Sequence, residues 1–186
     1  MSDGQKQTVV LGVCGSIAAH RAVDLCSLLS GGGLDVNVVM SRDAQKFVTA
    51  LPFKTLSKNP VVVSLYDDED GWRPTHIRLA DEARLMVIAP ATANIIAKLS
   101  QGLADDAMTC IALALQPGTR ILVAPAMNGK MWEHPATRAN VAILKERGVE
   151  FIGPAEGVLA CGYEGMGRLW EIGAIADRAL QLANQG

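Results

Sequence analysis

Residues 121–132 read ILVAPAMNGKMW, and this stretch decides the fold class. An apolar run of four residues that ends at Pro125 predicts a short buried strand. Asn128 follows almost directly, and in parallel α/β sheets ligands bind at the carboxyl ends of the strands. A single amide flanked by methionines and a tryptophan indicates a pocket for a flat and weakly anionic ligand. A strand-to-helix connection with an asparagine in the turn is the plainer alternative.

The rest of the chain repeats the strand and helix alternation. We predict strands at 8–13, 34–40, 85–89, 121–124 and 149–152, and helices at 17–30, 43–50, 76–83, 91–100, 104–115, 135–147 and 171–183. The alternation predicts one α/β domain over residues 1–186, a three-layer doubly wound, Rossmann-like or flavodoxin-like fold with a mostly parallel sheet. The sequence does not determine the order of the strands in this sheet. We expect residues 1–7 to form a flexible tail and the glycine-rich segment 154–168 to form a mobile substrate clamp.

The composition excludes several classes of function. A net charge of -2 and aromatic residues at 4% argue against a nucleic-acid partner. The chain shows neither a signal-peptide pattern nor the run of roughly 18 apolar residues that a membrane span needs. Its four cysteines have no CxxC spacing, which indicates reduced thiols in the cytoplasm. The three histidines lie far apart in the sequence, so we expect no metal site.

A glycine turn follows the first predicted strand. Gly15 and Ser16 open the next helix, where bare backbone and unpaired N–H groups can bind a phosphate. The turn lacks the third glycine of a dinucleotide fingerprint and the GK[ST] of a Walker loop. Ser41, rather than an acidic residue, follows the second strand. A mononucleotide therefore fits better than NAD, and a purely structural turn is the alternative.

Five further residues could carry chemistry. Thr92 and Asn94 follow the third strand, where they could line a flat ring or simply cap a helix. His76 lies at the start of a predicted helix and could act as a base, with a structural role as the alternative. Cys161 lies in the glycine-rich segment, and Arg168 offers a cation for a phosphate or carboxylate.

The chain resembles the flavin-dependent cysteine decarboxylases over residues 8–168. The likeness rests on GSIAA at 15–19, THIRL at 75–79, PATAN at 90–94, ADD at 104–106, PAMNGKMW at 125–132 and ACGYEGMGR at 160–168. The last two segments together are the specific ones. The resemblance implies FMN as the cofactor and 4′-phosphopantothenoylcysteine as the substrate, in coenzyme A biosynthesis. It also implies a homotrimer, or a dodecamer of trimers, that holds FMN at a subunit boundary. The composition adds the expectation of a cytoplasmic location with no nucleic-acid or membrane partner.

The resemblance also implies roles for individual residues. His76 would be the base that assists flavin oxidation of the substrate to a thioaldehyde, which then loses CO2. Asn128 would hold the carboxylate, and Cys161 would protonate the enethiolate while the flavin reduces it to 4′-phosphopantetheine. Asn128 would share substrate binding with Met131, Ala160 and Arg168. The implied FMN contacts are Gly15, Ser16, Ile17, Ser41, Thr92, Ala93, Asn94 and Ala126.

Two other functions stay open at this point. The chain could be an oxidative decarboxylase of a peptide C-terminal cysteine, which stops at the enethiol, or a non-catalytic FMN-binding regulatory protein. The presence of His76, Asn128 and Cys161 favours the redox-neutral decarboxylase. One departure from the family concerns the first helix, where His20 and Arg21 stand at positions that are commonly Tyr and Lys. We expect both on an outer helix face.

Overall fold

A computed structural model describes residues 6–66, 73–158, 162 and 164–185 of the chain. Its main sheet has five parallel strands in the order β2-β1-β3-β4-β5. The strands are β1 Thr8–Val13, β2 Asp35–Met40, β3 Ala83–Ala91, β4 Arg120–Pro125 and β5 Glu150–Phe151. This is the flavodoxin-like doubly wound order, so the predicted fold class is confirmed. Most of the predicted tail, 1–7, lies outside the described residues.

Helices cover both faces of this sheet and enclose two apolar cores. They are α1 Arg21–Gly31, α2 Ala50–Ser57, α3 Thr75–Glu82, α4 Ala93–Gln101, α5 Ala107–Ala114, α6 Gly129–Glu133, α7 Pro135–Glu146 and α8 Ile172–Asn184. Successive strand residues point to opposite faces, so Leu11 packs with α1, α2 and α8 while Val10 packs with α3, α4, α5 and α7. Within the part of the chain that the structure describes, no helix has the length and apolar character to cross a bilayer.

Two predicted boundaries around the first helices are wrong. Residues 17–30 begin as a 3-10 turn, Ile17–His20, before α1. The helix predicted at 43–50 is only a short 3-10 turn, Ala44–Lys46, and α2 follows it in a segment where almost no helix was predicted. Tertiary packing explains the position of α2, because its Phe53 is fully buried in the core against α1.

The third strand also runs further than predicted. The sequence placed its end at Pro90, but β3 continues to Ala91. The carbonyl of Pro90 accepts a hydrogen bond from the Cys14 N–H at 3.2 Å, and the carbonyl of Ala91 accepts one from the Ala126 N–H at 2.9 Å. These acceptors keep the chain extended past the proline, because a proline lacks only the donor and retains its carbonyl.

The glycine-rich segment forms a hairpin rather than an irregular loop. Strands β6 Ala155–Val158 and β7 Glu164–Arg168 pair antiparallel. The hairpin is joined to the segment after β4 by the Met127 N–H, which donates to the Gly167 carbonyl at 3.0 Å. Ala160 and Cys161 lie outside the described residues. The mobility of the segment 154–168 therefore stays a prediction.

Candidate active site

A pocket of 390 Å³ opens at the carboxyl edge of the sheet, and we call it the switch-point pocket. Gly15 and Ser16 reach it from the end of β1, and Thr92 reaches it from the end of β3. These two strands are neighbours, but the helix after β1 covers one face of the sheet and the helix after β3 covers the other. A crevice forms where the connections diverge, and this is where doubly wound proteins bind their ligands.

The structure brings most of the predicted site residues into this pocket. They come from four separate chain segments, after β1, after β3, after β4 and at the end of β7. The predicted residues that line the pocket are Gly15, Ser16, Ile17, Thr92, Ala126, Asn128, Met131 and Arg168. The fold therefore places five of the implied FMN contacts next to three of the implied substrate contacts.

Three of the implied flavin contacts lie outside the described lining. Ser41 is at the end of β2, where its N–H donates to the Val13 carbonyl at 2.9 Å and its hydroxyl accepts from the Ala44 N–H at 3.2 Å. Ala93 and Asn94 belong to the first turn of α4, and Asn94 is exposed. The assignment of these three residues to FMN stays a prediction.

Thr92 shows that the two alternatives weighed for this position are compatible. Its hydroxyl caps α4 by accepting a hydrogen bond from the Ile95 N–H at 3.3 Å, and the same residue lines the switch-point pocket. Capping fixes the direction in which the hydroxyl oxygen points. The helix start is therefore held in place at the wall of the pocket.

His76 lies on the opposite face of the sheet from the Gly15 turn. It is on the first turn of α3, whose Leu79 and Ala80 pack into the second core. Because α3 runs directly into the start of β3, the first turn of α3 lies toward the carboxyl edge. The ring Nδ1 is buried and has no hydrogen-bond partner among the described residues. His76 is not part of the described lining of the switch-point pocket in its own chain.

The turn after β1 can be formed only by glycine. A Cβ on residue 15 would lie 2.5 Å from the Cβ of Asp43 and 3.0 Å from its carbonyl carbon. The Ser16 hydroxyl accepts from the Ala18 N–H at 3.3 Å and begins the 3-10 turn. Bare backbone next to the start of a helical turn suits a phosphate group. The residues present therefore fit a flavin mononucleotide, with its phosphate at this turn.

Sequence reasoning missed the aromatic wall of the pocket. Phe47 lines the switch-point pocket and is 48% exposed. The helix predicted at 43–50 includes Phe47, and an apolar residue in such a helix is expected to face the core. No signal in the sequence distinguishes Phe47 from a core residue, because its exposure follows from the structure.

Asn128 caps a helix at the wall of the switch-point pocket. Its Oδ1 accepts a hydrogen bond from the Lys130 N–H at 2.9 Å and caps α6. Because the acceptor end of the amide is used in this way, the donor end, Nδ2, is on the other side of the side chain. The side chain lines the switch-point pocket. The amide is thus oriented by the backbone before any ligand binds.

Cys14, next to the Gly15 turn, is not suited to acid–base chemistry. Burial raises the pKa of its thiol to about 12. The thiol contacts the Met108 sulfur at 3.7 Å inside the second core. A thiol with this pKa stays protonated at neutral pH, so Cys14 is a packing residue.

The ADD segment at 104–106 has a structural role. Asp106 caps α5 by accepting from the Thr109 N–H at 2.9 Å, and Lys98 lies 2.9 Å from its other oxygen. Burial opposes ionisation of Asp106, but these hydrogen bonds outweigh burial and lower its pKa. The described residues contain no group of three or more potential metal ligands.

The profile of the flavoprotein family matches residues 1–184. The chain belongs to the flavoprotein family. It is 43% identical over 170 residues to a probable phosphopantothenoylcysteine decarboxylase of Streptococcus mutans, covering 91% of this chain and 95% of the relative. It is also 43% identical over 165 residues to the coenzyme A biosynthesis bifunctional protein CoaBC of Bacillus subtilis. This match covers 89% of the chain and only 40% of that relative.

Solved structures of flavoproteins superpose on most of the chain. A mutant PPC decarboxylase complexed with pantothenoylaminoethenethiol gives a TM-score of 0.87 at 30% identity, covering 97% of this chain and 100% of the other. The FMN-dependent cysteine decarboxylase SpaF gives 0.82 at 31% identity, with coverages of 95% and 97%. The predicted resemblance to the flavin-dependent cysteine decarboxylases is thereby confirmed.

We expect a Gly15→Ala variant to lose affinity for FMN. The added methyl group meets Asp43, and overpacking of this kind costs about 1–3 kcal/mol. The turn must shift away from the loop after β2, which widens the phosphate site. Gly31→Ala is the matched control, because nothing lies within 4 Å of a Cβ at residue 31. Titration of the apoproteins with FMN, followed by flavin fluorescence, measures the difference. Equal affinities of the two variants for FMN would show that the Gly15 turn does not bind the cofactor.

Proposed function

We propose that this flavoprotein binds FMN in the switch-point pocket and decarboxylates 4′-phosphopantothenoylcysteine to 4′-phosphopantetheine in coenzyme A biosynthesis. The observation that carries the proposal is the position of Asn128, which lines the same crevice as the Gly15 turn. A carboxylate held by the amide would lie next to a flavin held by the turn. Relatives named for this reaction, and a similar structure that holds pantothenoylaminoethenethiol, support it.

The side chains of the pocket suit a reaction in which a negative charge disappears. FMN, when bound, would supply the two-electron oxidant that converts the cysteine of the substrate to a thioaldehyde, and the C=S group would then accept the electron pair that CO2 leaves behind. Asn128 is neutral, so it orients the carboxylate without strongly stabilising the charge that leaves as CO2. Ile17, Phe47 and Met131 line the crevice with apolar surface.

We assign the base to His76 of a neighbouring copy of the chain. In its own chain, His76 lies on the face of the sheet opposite the Gly15 turn, and the resemblance implies FMN at a subunit boundary. A homotrimer, alone or as four trimers in a dodecamer, would let each protomer supply a histidine to the next pocket. The assembly and a cytoplasmic location are parts of this proposal.

One preparation tests the proposed function. The purified protein should carry a yellow flavin spectrum and release CO2 from 4′-phosphopantothenoylcysteine, with 4′-phosphopantetheine as the product. A protein that stays colourless after incubation with FMN would refute the cofactor. A yellow protein that releases no CO2 would favour the non-catalytic alternative. Accumulation of an enethiol would favour the oxidative decarboxylase of a peptide C-terminal cysteine.

We expect a Cys161→Ser variant to oxidise and decarboxylate the substrate but to accumulate the enethiol. The role of Cys161 rests on the resemblance, and a serine hydroxyl is a far weaker acid than a thiol. General acid catalysis contributes about 10²–10⁴-fold, so formation of 4′-phosphopantetheine should fall by that order. Mass spectrometry of the products measures it. Cys110→Ser is the control, because Cys110 is on α5, its thiol donates to the Ala104 carbonyl at 3.4 Å, and it is not in the described lining of the switch-point pocket. Normal turnover of Cys161→Ser would exclude it as the proton donor.

A further inference from the structure

A second pocket of 180 Å³ adjoins the switch-point pocket, and we call it the Arg21 pocket. The two pockets are neighbours, because both linings include Ile17, Ala18, Arg168 and Leu169. The Arg21 pocket extends along the start of α1 and the start of α8. His20 and Arg21 are exposed, as the sequence predicted, but they line this pocket.

Two arginines line the Arg21 pocket, and each forms only a long ion pair with an acidic side chain. Arg168 lies 3.7 Å from Glu171, and Arg21 lies 3.7 Å from Asp24. All four side chains are between 45% and 72% exposed, so these ion pairs are long and solvated. Exposed pairs of this kind contribute little, and an incoming anion with more charge can replace the carboxylates. A phosphate monoester carries about -1.5 to -2 at neutral pH and matches two guanidinium groups.

The surroundings of these cations are preformed. Arg168 lies across the bare backbone of Gly157, where a Cβ would be 2.8 Å from the guanidinium Nη1 and 3.0 Å from Cδ. The His20 ring is oriented by a 2.8 Å contact between its Nδ1 and the Ile17 carbonyl. A ring that donates from Nδ1 presents Nε2 on its opposite edge. The wall of the pocket is therefore ordered without a ligand.

We propose that the Arg21 pocket binds the phosphate monoester at the far end of the substrate. This inference rests on the proposed function, which gives the substrate a carboxylate at one end and a phosphate at the other. Asn128 lines only the switch-point pocket, and Arg21 lines only the Arg21 pocket. A substrate whose carboxylate reaches Asn128 can thus extend past Ile17 to the guanidinium groups. Arginine suits this task because its planar fork binds phosphate through paired hydrogen bonds.

The phosphate of FMN is the other source of the same chemical group. Its place in our assignment is the Gly15 turn, where a side chain would collide with Asp43. Arg21 follows one turn later along the chain, beyond the 3-10 turn Ile17–His20. Two phosphates thus have two separate sites, and the experiment must tell them apart.

The test compares binding of 4′-phosphopantetheine and pantetheine to the FMN-loaded protein by isothermal titration calorimetry. The wild type should bind the phosphorylated ligand more tightly. Arg21→Gln should weaken that binding about tenfold or more, since a charge-assisted contact is lost, and should leave pantetheine binding unchanged. Arg21→Lys should recover part of the loss. In turnover, KM for the phosphorylated substrate should rise in Arg21→Gln while kcat stays constant.

Arg138→Gln is the matched control. Arg138 is an exposed arginine on α7 that pairs with Glu133 at 2.9 Å, and it lines neither pocket. Equal affinities of the wild type for the two ligands would overturn the inference, even if CO2 release is normal. If Arg21→Gln lost FMN, the Arg21 pocket would bind the phosphate of the flavin, and the inference would be wrong. Phosphate-selective binding without any CO2 release would support the inference and refute the proposed function alone.

Discussion

An Asn128→Asp variant is expected to keep FMN and to lose decarboxylation. Aspartate caps helices as well as asparagine does, so the bond that Oδ1 accepts from the Lys130 N–H can persist and α6 should stay in place. The change replaces the amide donor by a second carboxylate oxygen in the crevice. A like-charge contact costs several kcal/mol, so kcat/KM should fall by at least about a hundredfold.

The Asn128→Asp experiment separates charge from structure. The flavin absorbance and the thermal unfolding midpoint should match those of the wild type, while CO2 release disappears. Asn184→Asp is the control, because Asn184 is exposed at the end of α8 and receives the same change of charge. If Asn128→Asp released CO2 at the normal rate, Asn128 would have no part in holding the substrate carboxylate.

A Gly167→Ala variant is expected to lose both stability and activity. A Cβ on residue 167 would lie 2.2 Å from the Met127 carbonyl oxygen and 3.3 Å from the Gly129 nitrogen, which are backbone atoms. The φ angle of 144° is also one that side chains disfavour, and strain of this kind costs about 1–3 kcal/mol before any clash. The hairpin must move away from the segment that carries Asn128, so we expect a loss of at least about 3 kcal/mol.

Gly173→Ala provides the comparison for Gly167→Ala. Gly173 lies in the first turn of α8, has open space around its Cβ position and has no unusual φ angle. Alanine favours a helix over glycine, so this variant should be unchanged or more stable by up to about 1 kcal/mol. Denaturant unfolding of both variants gives the two free energies. A Gly167→Ala protein as stable as the wild type would show that the hairpin does not depend on this contact.

The fold class was predictable because it depends on local patterns. Short apolar runs ended by glycine or proline mark the strands, and the amphipathic segments between them mark the helices. The strand order was not predictable, since it depends on which strands meet in space. The bounds of α2 were not predictable for the same reason, because Phe53 is buried against α1, which is distant in the sequence. The glycine-rich hairpin was missed because glycines within a strand leave no alternation of side chains that marks it as a strand.

The candidate site was predictable where it follows directly from strand ends. Gly15, Thr92 and Asn128 each come just after a strand, so a parallel sheet must bring them to one edge. Phe47 was not predictable in this way, because its place in the pocket depends on how the chain turns after β2. The position of His76 could not be predicted either, because the packing of α3 determines the face of the sheet on which His76 lies.

The two adjoining pockets differ in what their walls are made of. Close contacts at Gly15 and at Gly167 leave no room for a larger residue at these two positions of the switch-point pocket. The Arg21 pocket is walled by the ends of long side chains, including Trp170 and Arg21. Single substitutions can change it without touching the other pocket. The fold can therefore accept a new group at the far end of its substrate while the chemistry at the cofactor stays the same.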